Sequence, residues 1–270
     1  MKIGLCRELD EFSIVELAQA AGADYLEVAF GNFVYWDDAK LEECLGHMKA
    51  IGFPCLVSKN FLSGDLTLTG ENADIDALDA YLARGFEWAG KFGIQKAVFG
   101  SGAYRRCPDG FPKERAMEQI VTFTRLAAKY AAKIGAVVAF EPLSYDETNM
   151  ILTVEDGAVA AAATGCTNVG TIADLYHMVN NNDAVENIGR FPGKVLHGHV
   201  RDPIGRSFPL PTDSAESQDY YRRFFAQLKA AGCDTCSVEC RNEGFEQKAA
   251  PCVAYLKDLD GKIEPAKISC

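Results

Sequence analysis

Four side chains of types that bind divalent metal ions each follow a short apolar run in the second half of the chain. They are Glu141, Asp174, His199 and Glu239, which follow the runs VVAF, VGTIA, VLHG and TCSV. Carboxylates gathered in a poorly solvated pocket cost several kcal/mol unless a cation lies among them. Three oxygen ligands and one imidazole suit a hard or borderline ion. We therefore expect one divalent metal ion, with Mn²⁺, Mg²⁺ or Co²⁺ preferred and Zn²⁺ as the alternative.

Two of the four, Glu141 and Glu239, are also candidate catalytic groups. A carbonyl bound to a metal ion is a better electron sink, which makes the adjacent C–H bond more acidic. Two carboxylates on opposite faces of a flat cis-enediolate would invert that carbon if one removed a proton and the other returned one. Return of the proton to the neighbouring carbon would instead interconvert an aldose and a ketose. The residues alone leave both reactions open.

The elements that must position these side chains alternate along the chain. Short apolar runs predict strands at residues 2–5, 24–28, 53–57, 96–99, 137–140, 168–173, 195–199 and 235–239. Amphipathic segments predict helices at residues 11–21, 37–51, 73–93, 113–135, 153–164, 182–190, 215–231 and 243–258. Eight such units predict an α/β fold, a (β/α)8 TIM barrel with residues 1–270 as a single domain. Because such barrels build active sites at the carboxyl ends of their strands, the four candidate ligands should meet there.

Composition excludes several classes of partner. The chain has 27 basic and 38 acidic residues and a net charge of −11, which argues against binding to nucleic acid or to an anionic membrane surface. The N-terminus has no signal-peptide pattern, and no apolar run approaches the roughly 20 residues of a membrane span. The ten cysteines are scattered, and Cys233-x-x-Cys236 has no second pair to complete a zinc site. Reduced thiols and a cytoplasmic location are therefore expected.

Four motifs between residues 137 and 240 are typical of one family. They are EPLSYDE at 141–147, D-x-x-H-M at 174–178, H-x-H at 197–199 and the carboxylate after strand 8. Together they resemble the xylose-isomerase-like TIM-barrel superfamily of sugar and sugar phosphate isomerases and epimerases, most closely its D-tagatose and D-psicose 3-epimerases. The resemblance implies a metal-dependent ketose 3-epimerase that acts on a small sugar. It also implies that the sugar is contacted by Glu147, His177 and an arginine after strand 7, here Arg206.

Some residues depart from the pattern of these epimerases. Ser144 and Tyr145 stand where an Asn-Arg pair usually follows the EPL run, and Arg206 lies one residue later than the usual arginine. The resemblance therefore does not identify the sugar. An aldose–ketose isomerase acting on a sugar or sugar phosphate is the first alternative. The assembly is expected to be a homodimer or a homotetramer.

Two further classes are more distant alternatives. An AP-endonuclease-like metal hydrolase needs many histidines for its zinc cluster, and this chain has four histidines. A non-catalytic sugar-binding barrel would be expected to lack at least one of the four candidate ligands. Among weaker signals, we expect His197 to support His199 from the barrel interior and Glu27 to be an outer-shell group or part of a buried ion pair. Arg105 and Arg106 are candidate substrate contacts.

Overall fold

Eight parallel strands form a closed barrel in sequence order, and the last strand pairs with the first. The structure is a computed structural model that describes residues 1–240 and 243–267. Its strands are β1 (Lys2–Cys6), β2 (Tyr25–Ala29), β3 (Cys55–Lys59), β4 (Lys96–Phe99), β5 (Val137–Phe140), β6 (Val169–Asp174), β7 (Val195–Val200) and β8 (Thr235–Val238). The prediction of a (β/α)8 TIM barrel is confirmed.

Helices connect successive strands around the outside of the barrel. They are α1 (Phe12–Ala20), α2 (Asn32–Tyr35), α3 (Asp38–Ile51), α4 (Ile75–Phe92), α5 (Gly102–Arg105), α6 (Lys113–Lys133), α7 (Val154–Thr164), α8 (Leu175–Asn180), a 3₁₀ helix (Val185–Arg190), α9 (Ala215–Ala230) and α10 (Phe245–Lys262). Local capping explains several boundaries: Thr153 and Asp156 form a capping box at the start of α7.

The helix predicted at residues 182–190 was only partly right. The structure has a 3₁₀ helix there, and the short helix α8 precedes it. Helices α2, α5 and α8 were not predicted, because segments of four to six residues are too short to show a helical period. One consequence concerns His177, which lies within α8.

A layer of apolar side chains fills the barrel below the candidate site. Tyr25, Val57, Val98, Ala139 and Ile172 belong to one small buried cluster, separate from the large cluster between strands and helices. The Tyr25 ring lies over Gly4, where a Cβ would overlap it. Its hydroxyl makes a 2.8 Å hydrogen bond with Ser237 across the interior. This layer is the floor on which the polar residues rest.

The next layer toward the carboxyl ends of the strands carries the polar groups. Successive side chains of a strand point to opposite faces, so a residue two positions after one that points into the barrel also points into the barrel. Two residues beyond the apolar layer come Glu27, Lys59, Gly100, Glu141 and Asp174. On β7, His199 lies two residues after His197. Just after β8, Glu239 lies two residues after Ser237. Within the described residues, no helix is long and apolar enough to cross a membrane.

Candidate metal centre and active site

The four candidate ligands converge at one point of the barrel mouth. Suitable ligand atoms of Glu141, Asp174, His199 and Glu239 all lie within 4.8 Å of one another. His199 Nδ1 lies 2.9 Å from an oxygen of Glu141, 3.3 Å from one of Glu239 and 3.8 Å from Oδ2 of Asp174. Strand register contributes directly, because Asp174 and His199 are paired across β6 and β7. The residues that the sequence singled out are therefore brought together.

One buried atom in this cluster lacks a partner. Asp174 Oδ1 accepts a 2.9 Å hydrogen bond from the backbone N–H of His177. Asp174 Oδ2 is buried and has no hydrogen-bond partner among the described residues. A buried unsatisfied carboxylate oxygen is costly unless a cation is bound beside it. Together with this oxygen, two other carboxylates and one imidazole nitrogen make a donor set that fits a hard or borderline divalent ion.

Behind His199, a hydrogen-bonded chain crosses the barrel interior. Glu27 is fully buried. Its two oxygens accept from Nε2 of His199 at 2.9 Å and from Nε2 of His197 at 3.1 Å. The Nδ1 atom of His197 is 2.9 Å from the hydroxyl of Thr235. A carboxylate behind a histidine fixes its tautomer and orients its other nitrogen, here Nδ1, toward a metal ion. His197 thus lies in the interior, as the sequence led us to expect, and the carboxylate of Glu27 lies behind His199, between the two histidines.

Charges on these groups are strongly perturbed in the metal-free protein. Burial alone would raise the pKa of Glu27, but the two histidines facing it hold that pKa well below its usual range. Burial alone would lower the pKa of His199, yet Glu27, Glu239 and Glu141 raise it well above its usual value. His199 is therefore a positively charged imidazolium near neutral pH, with a proton on both ring nitrogens, when no cation is bound. A metal ion that takes Nδ1 must displace that proton.

Metal binding is therefore expected to strengthen with pH and to release a proton. If one proton leaves His199 for each ion bound, the apparent affinity should rise about tenfold per pH unit between about pH 6 and 8. Titration calorimetry with Mn²⁺ in buffers of different ionisation enthalpy would count the protons released. A constant affinity with no proton release would contradict the assignment of His199 as a ligand.

The two candidate catalytic carboxylates have different surroundings. Glu239 accepts a 2.9 Å hydrogen bond from Lys59, which is the last residue of β3. Burial would raise the pKa of Glu239, but Lys59 and His199 lower it to about 2. Burial raises the pKa of Glu141, with His199 acting in the opposite direction. The pair is therefore asymmetric in the metal-free protein. Lys59 was not found from the sequence, although it occupies the same layer as the ligands.

Space and backbone contacts hold Glu141 in place. A Cβ at Gly100 would overlap Oε2 of Glu141, so the absence of a side chain there makes room for the carboxylate. Arg105 is fully buried and donates to the backbone carbonyl groups of Glu141 and, at 3.2 Å, of Phe99. Burial lowers the pKa of Arg105 to about 10, so it remains charged at neutral pH. Arg105 lies behind Glu141, and the exposed Arg106 binds the backbone of Asp146 at 3.1 Å.

A cavity of about 300 Å³ opens at the barrel mouth beside the candidate ligands. Its wall includes Lys59, Glu141, Glu147, His177, Arg201 and Glu239. A larger cavity, about 550 Å³, is bordered by residues of α6 and α7 and contains none of the candidate ligands. We take the smaller cavity as the active-site candidate because it lies beside the candidate ligands and is lined by ionisable groups with perturbed pKa values.

His177 is fixed with one nitrogen toward the protein and the other toward the cavity side. Its Nδ1 atom accepts from the backbone N–H of Ser144 at 3.1 Å and lies 2.6 Å from the Ser144 hydroxyl. An Nδ1 that accepts a backbone hydrogen bond leaves the ring hydrogen on Nε2. That atom is 4.0 Å from Glu147, whose side chain is 46% exposed. Ser144, which departs from the epimerase pattern, therefore has a definite task in orienting His177.

The predicted arginine does not line this cavity. Arg206 is exposed and borders a separate cavity of about 290 Å³. The arginine in the wall of the active-site cavity is Arg201, two residues after His199. Both guanidinium groups lie against the ring of Tyr176, at 3.8 Å for Arg201 and 4.4 Å for Arg206. The sequence analysis missed Arg201, whose short spacing from the ligand histidine was the available signal. Contact of Arg206 with a sugar stays a prediction.

A second group of potential ligands, Cys6, Glu27 and His199, is a weaker metal site. Both oxygens of Glu27 already accept hydrogen bonds from histidine. Burial raises the pKa of the Cys6 thiol well above its usual range, so this sulfur stays protonated and is a poor ligand. The four-residue cluster is therefore the metal-centre candidate.

Comparison with known proteins gives a consistent result for family and fold. The family described as xylose isomerase-like TIM barrel matches residues 15–259. The chain superposes with a TM-score of 0.81 on D-psicose 3-epimerase with D-tagatose from Clostridium cellulolyticum H10, at 17% identity, covering 96% of this chain and 99% of that one.

Two further structures have the same fold. For 3-keto-D-glucoside 4-epimerase from E. coli the TM-score is 0.78 at 20% identity, with 96% and 99% of the two chains covered. For the IOLI protein with a bound zinc atom it is 0.71 at 18% identity, with 97% and 99% covered. No curated protein matches the chain by sequence.

Proposed function

The chain belongs to the xylose isomerase-like TIM-barrel family, and from that premise we propose that it is a divalent-metal-dependent sugar epimerase. The observation that carries the proposal is the convergence of four side chains, those of Glu141, Asp174, His199 and Glu239. One of their oxygens, Oδ2 of Asp174, is buried and has no hydrogen-bond partner in the described structure. Several solved structures of similar fold are sugar epimerases, including two that act on ketoses or keto sugars. We infer a ketose 3-epimerase as the specific activity.

The cofactor in this proposal is one divalent ion, with Mn²⁺, Mg²⁺ or Co²⁺ preferred and Zn²⁺ as the alternative. Glu141, Asp174, His199 and Glu239 would hold it, and Glu27 would support His199 from behind. When bound, such an ion polarises a substrate carbonyl and so acidifies the neighbouring C–H bond.

Proton transfer is the task of the two asymmetric carboxylates. We propose that Glu141 and Glu239 face opposite sides of a flat enediolate, so that one removes the proton and the other returns a proton to the same carbon. Oε2 of Glu141 accepts no hydrogen bond from the described residues, whereas an oxygen of Glu239 is held by Lys59. Lys59 thereby fixes the orientation of Glu239 and favours its charged form before turnover.

Substrate orientation would come from polar groups in the cavity wall. The Nε2–H of His177 is available to donate to a sugar oxygen, and Glu147 can accept from a hydroxyl. We propose Arg201, which lines the cavity, as the arginine that contacts the sugar, whereas Arg206 borders a separate cavity and its contact with a sugar stays a prediction.

The proposed activity can be tested by a substrate screen. The Mn²⁺-loaded protein would be incubated with a panel of ketoses and aldoses, and products would be identified by NMR. A ketose inverted at carbon 3 is the expected product. Formation of an aldose would favour the alternative, an aldose–ketose isomerase. No conversion of any sugar by the metal-loaded protein would contradict both.

His177→Ala is expected to lower kcat/KM by about 10- to 100-fold, the effect of losing one substrate hydrogen bond in a buried site. Metal affinity should stay the same, because the backbone N–H that donates to Asp174 is retained in alanine. Ser144→Ala is the matched variant, since it loosens the ring without removing it. Steady-state kinetics and Mn²⁺ calorimetry separate the two effects. Loss of the metal from His177→Ala would show that the ligand set is wrong.

A further inference from the structure

A lysine at the amino-terminal face of the barrel, opposite the active-site cavity, is connected to the candidate metal centre. Lys96 is the first residue of β4. Its Nζ atom donates to the backbone carbonyl of Leu196 at 2.6 Å, to the hydroxyl of Thr235 at 2.7 Å and to the carboxylate of Asp234. An ammonium group has three N–H donors and no acceptor, so these contacts use all three. Lys96 is therefore held in one place and can only donate.

The hydrogen bonds that start at Lys96 run in one direction. Because Thr235 accepts from Lys96, its hydroxyl hydrogen is free to donate. Nδ1 of His197, at 2.9 Å, is the other partner of that hydroxyl in the described part of the chain. If Nδ1 carried a hydrogen, the buried hydroxyl of Thr235 would have no acceptor, which is costly. Nδ1 of His197 therefore accepts, and the ring hydrogen lies on Nε2, which donates to Glu27 at 3.1 Å.

This chain of hydrogen bonds ends on a candidate metal ligand. The second oxygen of Glu27 accepts from Nε2 of His199 at 2.9 Å. His197, Glu27 and His199 are fully buried, and Thr235 is 3% exposed. The chain crosses the apolar layer of the barrel interior, where a polar group without a partner is costly. Each group therefore depends on the one before it for its orientation.

We propose that Lys96 and Thr235 are positioning residues of the candidate metal centre, which act through this chain to direct Nδ1 of His199 at the ion. With the ring hydrogen on Nδ1, His197 would present a nitrogen lone pair to the carboxylate of Glu27. Glu27 would then be repelled and would no longer be held against His199. The inference rests on the metal site of the proposed function and extends that site to the opposite end of the barrel, where residues ordinarily serve stability.

NMR reads the direction of the chain without any sugar. The protein has four histidines, so ¹⁵N labelling of histidine gives few ring signals. Two-bond ¹H–¹⁵N spectra show which ring nitrogen carries a hydrogen. His47→Gln and His177→Gln assign two rings, and addition of Mg²⁺ or Zn²⁺, which are diamagnetic, identifies His199. For His197, a hydrogen on Nε2 and none on Nδ1 is expected, both without and with the metal ion.

Variants separate the positioning role from a general effect on stability. Thr235→Val and Lys96→Met should each lower Mn²⁺ affinity by about 10-fold, the smaller end of the effect of losing a residue that supports a metal ligand. Thr235→Ser keeps the hydroxyl and should bind Mn²⁺ like the wild type. Removal of a positive charge alone would favour a cation, so the fall expected for Lys96→Met is opposite in sign to a charge effect.

The matched control is Lys194→Met. Lys194 is an exposed lysine that precedes β7 at the same face of the barrel, and its substitution should leave Mn²⁺ affinity unchanged. Titration calorimetry would measure the affinities, and circular dichroism would check that each variant is folded. If a variant does not fold, the NMR spectrum of the unsubstituted protein still decides.

Two outcomes would overturn the inference. One is a hydrogen on Nδ1 of His197. The other is wild-type Mn²⁺ affinity in folded Thr235→Val and Lys96→Met. Failure of the proposed function is distinguishable from both, because it would appear as no epimerised product from any sugar while the hydrogen positions and the effects on metal affinity stay as expected.

Discussion

Glu239→Gln is expected to lower turnover by at least about a thousandfold, within the range that a general acid or base contributes. Glutamine keeps the shape of the side chain, but it cannot take up or return a proton and is a weaker metal ligand. Lys59 would also lose the charge that it faces at 2.9 Å. Mn²⁺ affinity should fall by more than the roughly 10- to 100-fold that is typical when a residue hydrogen-bonded to a metal ligand is changed. Product formation by NMR and Mn²⁺ calorimetry measure the two effects.

The control for this variant is Glu42→Gln. Glu42 is an exposed residue of α3, and its substitution should leave turnover and metal binding unchanged. Glu141→Gln should resemble Glu239→Gln, because both carboxylates are needed for inversion. Retention of more than about a tenth of wild-type turnover in Glu239→Gln would remove this residue from the proton-transfer scheme.

Glu27→Gln is expected to affect both the metal centre and the barrel. Its two oxygens accept from His199 and His197, and an amide offers only one acceptor oxygen in that place. Metal affinity should fall by about 10- to 100-fold because His199 is less well oriented. The free energy of unfolding of the metal-free protein should fall by roughly 1–3 kcal/mol, since one buried N–H loses its partner.

The effect of Glu27→Gln on stability should depend on pH in a defined direction. The folded-state pKa of Glu27 is held well below its usual range, so its contribution is present above the unfolded-state pKa of about 4.3 and is lost as pH falls through the folded-state value. The difference in unfolding free energy between wild type and variant should therefore be largest near neutral pH and shrink on acidification below about pH 4. Urea titrations of both proteins would measure it. A difference that grows on acidification would mean that Glu27 is not charged in the folded protein.

The strands and the four ligands could be predicted because both follow from a short-range rule. Each ligand directly follows or ends an apolar run, and the period of two along a strand then directs it to the barrel interior. The same rule, applied to β3, leads to Lys59, and applied to β4 it leads to Gly100. Lys59 was overlooked because a lysine after a strand resembles an ordinary surface residue. Its contact with Glu239 depends on strands far apart in sequence.

Other parts of the site depend on contacts that a single sequence does not reveal. The pairing of His177 with Ser144 joins the loop after β5 to α8, and α8 is too short to show a helical period. Arg105 was a candidate substrate contact, yet it lies at the end of α5 and points inward to the carbonyl group of Glu141. The choice between Arg201 and Arg206 depends on the path of the loop after β7, which spacing alone could not fix.

The central claim is that two carboxylates move protons at one carbon of a sugar, and deuterium incorporation tests it most directly. The metal-loaded protein would convert a ketose in D₂O, and the product would be examined by NMR and mass spectrometry from the first turnovers onward. Because a carboxylate that returns a proton must acquire it from solvent, deuterium is expected at the inverted carbon of the product. Product that forms in D₂O without deuterium at that carbon would contradict proton transfer by Glu141 and Glu239.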